Sequence, residues 1–161
     1  MSSTHTPELP FVDTHAIGVH ADAERAWDAV AQVMRGSSER SLPPALRRLP
    51  VAFARLMRCA DVDAPPPGEG LPRSMVGFHV ARAERPSLIA LEGSHRFSRY
   101  ALTFRVESAP GGGCVVEAET RAAFPGVAGR AYRQLVIGTR GHVLAVRRML
   151  SVAKRLAERG A

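Results

Sequence analysis

His142, Tyr100 and Thr120 are the side chains through which this chain can hold or move a proton away from water. His142 falls in the middle of an apolar helical stripe, and an imidazole donates and accepts near neutral pH. There it can bond a ligand carbonyl, act as acid or base, or simply satisfy a backbone carbonyl or Tyr100. Tyr100 alternates inward with Leu102 and Phe104, so its phenol either orients a ligand or packs in the core. Thr120 points the same way from the next strand, where a β-branched residue is also ordinary strand composition. Arg96, Ser98 and Arg99 stand where a strand begins. One of these arginines can attract a carboxylate or phosphate head group, unless Glu92 or Glu119 neutralises it. Asp13 and His15 share one face of the first strand, and form a proton relay only if they meet a third group; the alternative is solvation at a sheet edge.

Other chemistries lack their residues. His79 and His95 form no helical or short-range metal pair. The two cysteines, Cys59 and Cys114, lie in apolar contexts with no zinc spacing and make no disulfide framework. There is no glycine-rich phosphate loop with lysine, no nucleophile elbow and no pair of acids at helical spacing. We expect neither metal nor cofactor. These absences argue against nucleotide hydrolysis, serine-hydrolase chemistry and metal catalysis, and leave acid/base chemistry in a pocket open.

The elements that must position these groups follow from periodicity. Phe11 to His20 alternates as a strand, with Phe11, Asp13, His15, Ile17 and Val19 on one side. Asp22 caps a helix from Ala23 to about Arg35 that buries Ala26, Trp27, Val30 and Val33 or Met34. Prolines at 43, 44 and 50 divide the next stretch into two short helices ending near Ala60, and a Pro/Gly-rich loop runs from Asp61 to Pro72. Strands follow at Met75–Ala83, Ser87–Gly93, Phe97–Glu107 and Cys114–Phe124, the last two joined by Pro110-Gly111-Gly112-Gly113. Pairing across that turn places Ala118 by Phe104, Thr120 by Leu102 and Ala122 by Tyr100. Pro125-Gly126 then opens one long helix to Arg159. Its apolar belly collects Val127, Ala131, Leu135, Val146, Met149, Ala153 and Leu156, with Thr139 beside His142. Unbroken, this helix would span about 50 Å, and Gly138 and Gly141 mark a place for a bend.

The chain has 161 residues and suits one domain, 11–161, after a disordered lead-in at 1–10. No apolar run is long enough for a membrane span and no signal core precedes the domain, so we expect a cytoplasmic protein. From Gly126 onward eight basic residues face one acid, Glu158, so this segment carries the whole net charge of +7. Arg133, Arg140 and Arg147 flank Ile137 and Leu144 on its basic side. Apolar residues among arginines suit weak contact with anionic membrane or a protein partner. The plainer reading is a solvated helix face in a protein with 21 arginines and a single lysine, which also points away from nucleic acid.

Val12 to Ala21 followed by Ala23-Glu24-Arg25-Ala26-Trp27 resembles the opening strand and first helix of the START-like superfamily, also called SRPBCC or the birch-pollen-allergen-like helix-grip fold. His95 to Phe104, Thr120 to Gly126, Gly129-Arg130-Ala131-Tyr132 and Ile137 to His142 resemble a bacterial subgroup of it. The similarity covers roughly residues 11 to 158. It implies an α+β helix-grip fold, in which a curved antiparallel sheet wraps a long C-terminal helix and short helices separate the first two strands. Members bind lipids, steroids, plant hormones and polyketides, and a few catalyse cyclisation or aromatisation. The segment from about Arg35 to Gly70 departs from the usual pattern of a simple second helix. Pattern and resemblance together point to binding or carriage of a small hydrophobic ligand, lipid-like or polycyclic, between sheet and C-terminal helix. Its expected lining is Phe78, Arg96, Tyr100, Leu102, Phe104, Thr120, Leu135, Thr139, His142 and Met149. The alternatives are a cyclase- or aromatase-like enzyme using His142 and Tyr100, or an interaction module built on the basic helix.

Overall fold

The computed structural model describes residues 9–36, 77–138 and 140–159, with the backbone alone at Leu135 and Val136. The stretch expected to form two short helices up to about Ala60, the expected loop at 61–72, Cys59, Val76 and Thr139 lie outside the described residues, as do the Leu135 side chain and residues 1–8.

Five strands, β1 (Phe11–Val19), β2 (His79–Glu84), β3 (Leu88–His95), β4 (Ser98–Ser108) and β5 (Cys114–Ala123), form one curved antiparallel sheet in the order β1-β5-β4-β3-β2. The expected register holds: Tyr100 pairs with Ala122, Leu102 with Thr120 and Phe104 with Ala118. The turn before β5 works because Gly111, Gly112 and Gly113 all take positive φ, a region other residues rarely enter. Alternation sends Ile89, Leu91, Leu102, Phe104, Val106, Val116 and Ala118 to the concave face, where all are buried.

Helix α1 (Ala23–Gly36) is capped as its sequence requires, the Arg25 N–H donating to Asp22 Oδ1 at 2.8 Å. It buries Ala26, Trp27, Val30, Val33 and Met34. The opposing cover comes from α3 (Gly141–Glu158), through Val146, Leu150, Ala153 and Ala157. Its far end is tied to the β1 edge: Lys154 Nζ donates to the Gly18 carbonyl at 2.7 Å, and the His20 N–H donates to Glu158 at 2.9 Å. The His20 N–H bond, with a second from Lys154 Nζ, holds the Glu158 carboxyl below the usual carboxylate range.

Two expectations need correction. The helix is not continuous: α2 (Gly126–Arg133) passes through a π-helical turn, Gln134–Gly138, and α3 restarts after Arg140. The break lies where Gly138 and Gly141 suggested a bend, yet the residue in left-handed conformation is Arg140, at φ 57°. A π turn takes more residues per turn than an α-helix, so the phase of the apolar stripe slips across it. Val127 and Ala131 therefore do not join the buried belly; Val127 is 73% exposed and Ala131 is exposed too. The second correction is Phe11. A register shift between Phe11 and Asp13 takes it off the inner face, leaving it exposed.

Candidate functional site

Strand β1 puts Asp13 and His15 on the inner face, β5 puts Thr120 opposite Asp13, and the first turn of α3 brings His142 down onto both. His142 Nε2 lies 3.1 Å from Thr120 Oγ1 and 3.3 Å from Asp13 Oδ1. A carboxylate only accepts, so the geometry favours a hydrogen on His142 Nε2, shared between these oxygens. The other carboxylate oxygen, Asp13 Oδ2, stands 3.5 Å from His15 Nε2. Asp13 and His15 have thus met the third group that a relay required, 129 residues away in sequence. The carboxylate also lies by the start of an 18-residue helix whose first turn contains no acid, a place that suits negative charge.

The cluster is sheltered, with side chains 21%, 16% and 18% exposed at Asp13, His15 and His142, and Thr120 buried. His15 Nε2 is fully buried and makes no hydrogen bond of good geometry. Beside it a cleft of about 290 Å³ opens between β1 and α3, lined by His15, Ile17, Arg147, Leu150 and Ser151.

A second group lies on the β3–β4 side of the concave face. The Tyr100 hydroxyl donates to the Gly77 carbonyl at 2.7 Å, and its ring meets Phe78 edge-on at 4.8 Å. His95 accepts the Phe97 N–H on Nδ1, so Nε2 carries the hydrogen and donates to Ser98 Oγ; both contacts are 3.1 Å. Tyr132 from α2 stacks edge-on against His95 with centroids 4.7 Å apart, and also faces Phe97 and Phe124. Burial pushes the His95 imidazole below its ordinary value, which favours the neutral ring that this bonding uses.

The expected lining residues divide accordingly. Thr120 and His142 come together with Asp13, while Tyr100 sits on the neighbouring strand, diagonal to Thr120. Leu102 and Phe104 are buried in the hydrophobic cluster, and Phe78 and Met149 pack against it. Arg96 is exposed in the β3–β4 turn, its guanidinium 5.4 Å over the Phe97 ring. Arg99 is exposed too, opposite Ala123 on the outer face. Glu119 does not neutralise either arginine: Arg121 and Arg105 hold it, well below the usual carboxylate range. Among the described residues His142 bonds neither Tyr100 nor a backbone carbonyl. Tyr132 was not anticipated, because a continuous helix gave it no reason to face His95. Burial raises the Cys114 thiol, with the Asp22 charge adding to it, which makes it a poor nucleophile. Among the described residues no group of three or more His, Cys, Asp or Glu is placed to hold a metal, and no helix is long and apolar enough to cross a membrane.

No protein-family profile and no curated protein matches the chain. Solved structures do. The di-domain ARO/CYC protein BexL from the BE-7585A biosynthetic pathway is 17% identical, with a TM-score of 0.50 over 95% of this chain and 52% of its own. A protein of Mesorhizobium loti is 15% identical over 92% of this chain and 98% of its own, TM-score 0.49. Truncated norcoclaurine synthase from Thalictrum flavum is 13% identical over 89% and 94%, TM-score 0.48. This chain spans about half the length of the di-domain protein. Identities this low speak to fold and not to chemistry. With a five-stranded antiparallel sheet packed against a C-terminal helix, the chain has the helix-grip fold.

Proposed function

We propose that the protein binds a small hydrophobic ligand, lipid-like or polycyclic, between the sheet and the C-terminal helix, with the Asp13–His15–Thr120–His142 cluster orienting its polar group. The observation that carries this reading is His15 Nε2, buried beside Asp13 with no hydrogen bond of good geometry, on a residue that lines the cleft between β1 and α3. A buried polar atom without a partner costs about 1–3 kcal/mol. A ligand hydroxyl or carbonyl seated against it recovers that cost, and binding sites of this kind combine apolar walls with a few placed polar groups.

The probe for this site is 2-naphthol, whose fluorescence reports transfer out of water. It should bind at one saturable site. His142→Ala should weaken it roughly tenfold, the worth of one lost hydrogen bond, while Thr103→Ala on the outer face changes nothing. Equal affinity in all three proteins contradicts a ligand seated against the cluster.

Catalysis is the second reading, and the bracketing of Asp13 by two imidazoles favours it. A carboxylate that orients an imidazole is a general acid/base unit, and the fold neighbour BexL is described as an ARO/CYC protein. Tyr100 is less available than Thr120 for such a role, since its hydroxyl is committed to Gly77. A third reading, contact with an anionic membrane or a protein partner through Arg133, Ile137, Arg140, Leu144 and Arg147, is supported by Leu144, 71% exposed with Arg140 and Arg147 exposed nearby. Ile137 is half-buried, which shrinks the apolar part of that surface.

A further inference from the structure

Away from the inner cluster, β4, β5 and α2 meet around an open groove of about 350 Å³. Its floor is apolar, from Pro10, Ala122 and Phe124, and three arginines, Arg99, Arg130 and Arg133, border it. Local structure explains the convergence. Arg99 stands opposite Ala123 at the end of the β4–β5 ladder. Arg130 and Arg133, three residues apart, share one side of α2. Gly129 lets that helix sit hard against the sheet end, since a Cβ there would lie 2.6 Å from the Phe124 carbonyl carbon and 3.0 Å from the Phe97 oxygen.

Counter-charge is arranged unevenly around this corner. Arg121, on the same strand as the groove floor, is held by Glu119, and Arg105 by Glu117 and Glu119. No acid on α2 answers Arg130 or Arg133, and no ion pair is formed by Arg99, Arg130 or Arg133 among the described residues. Three arginines lining one concave, partly apolar space gather like charge there, and an anion that joins them relieves it. Each presents a planar fork that matches phosphate oxygens two at a time.

We propose that this groove is an anion site for a phosphate monoester carrying a compact apolar or aromatic group, the phosphate held by the arginines and the apolar part lying on Phe124, Pro10 and Ala122. Its volume is at the small end of ligand sites, enough for a single ring and a phosphate. Its lining shares no residue with the inner cleft, so it does not depend on the ligand assigned to the inner face. The phosphate can belong to a soluble metabolite or to a lipid head group, and the chemistry at the arginines is the same.

Phenyl phosphate, phenol and inorganic phosphate titrated by calorimetry, together with sedimentation on vesicles containing phosphatidic acid, test it. Phenyl phosphate should bind saturably and more tightly than inorganic phosphate, and phenol should not bind at this site. The triple variant Arg99→Gln, Arg130→Gln, Arg133→Gln should lose roughly tenfold or more. The double variant Arg148→Gln, Arg155→Gln, which removes charge from exposed positions elsewhere on the C-terminal segment, should bind as the wild type does. Vesicle retention lost in the triple variant, without binding of phenyl phosphate, would keep the groove as an anion site and assign a lipid head group as the source. Absence of binding in both arms overturns the proposal, as does an equal loss in the double variant, which would reduce the effect to net charge.

Discussion

Phe104→Ala should destabilise the protein by about 3–5 kcal/mol, the range for deleting a buried phenyl ring, and lower its melting temperature by on the order of 10 °C. The ring is 2% exposed, among the largest fully buried side chains, and faces the core between its strand neighbours Ala118 and Ile89. Both are too well enclosed to move into the space it would leave. The expectation separates two roles for an inward strand residue. A ring that packs against protein gives a large, ligand-independent loss. A ring that lines an open ligand chamber gives a loss below about 1.5 kcal/mol, because less packing surrounds it. Chemical denaturation of wild type and variant, both stripped of ligand, decides between them.

Gly129→Ala is the second large effect, expected at about 2 kcal/mol of destabilisation, although alanine favours helix over glycine by about 1 kcal/mol. The added methyl would meet the Phe124 carbonyl carbon at 2.6 Å and the Phe124 and Phe97 carbonyl oxygens at 2.9 and 3.0 Å. All three are backbone atoms, so no rotamer change relieves the contact and α2 must lift from the sheet end. That displacement would carry Tyr132 away from His95 and Phe97. Hydrogen exchange should therefore quicken in α2 while the β1–β5 and β4–β5 ladders stay protected, and the near-ultraviolet signal of the tyrosines should change. A variant as stable as the wild type, with α2 equally protected, would mean that this helix does not rest on Phe124.

The sheet was legible in the sequence because alternation and a glycine-rich turn leave one sensible register; the pairs Tyr100–Ala122, Leu102–Thr120 and Phe104–Ala118 followed from counting outward from Gly111–Gly113. Helix α1 was legible for a similar reason, with an aspartate cap and a stripe through Trp27. The last third was harder. Projecting one α-helical period through Gln134–Gly138 ignored a π turn, and so placed Val127 and Ala131 on a buried face they do not share. The inner cluster was half legible. Asp13 and His15 lie two residues apart on one strand, and Thr120 and His142 were each expected to point inward. Their meeting depends on β1 pairing with β5 and on α3 restarting at Gly141, long-range facts with no local signature. Tyr132 was named only within a segment that carried the resemblance, and nothing local pointed to its packing on His95. The groove arginines were similarly obscured among 21 arginines, and stand out only once Glu119 and Glu117 are seen to serve other partners.

Under the proposed function a water-averse molecule occupies the space between sheet and C-terminal helix, held by the cluster around Asp13. Native mass spectrometry of freshly purified protein tests this without presupposing the ligand. A small apolar adduct should be retained on the folded chain, released when the protein is denatured, and much reduced in His142→Ala. A bare chain that also takes up nothing from a mixture of lipid-like and polycyclic compounds would contradict it.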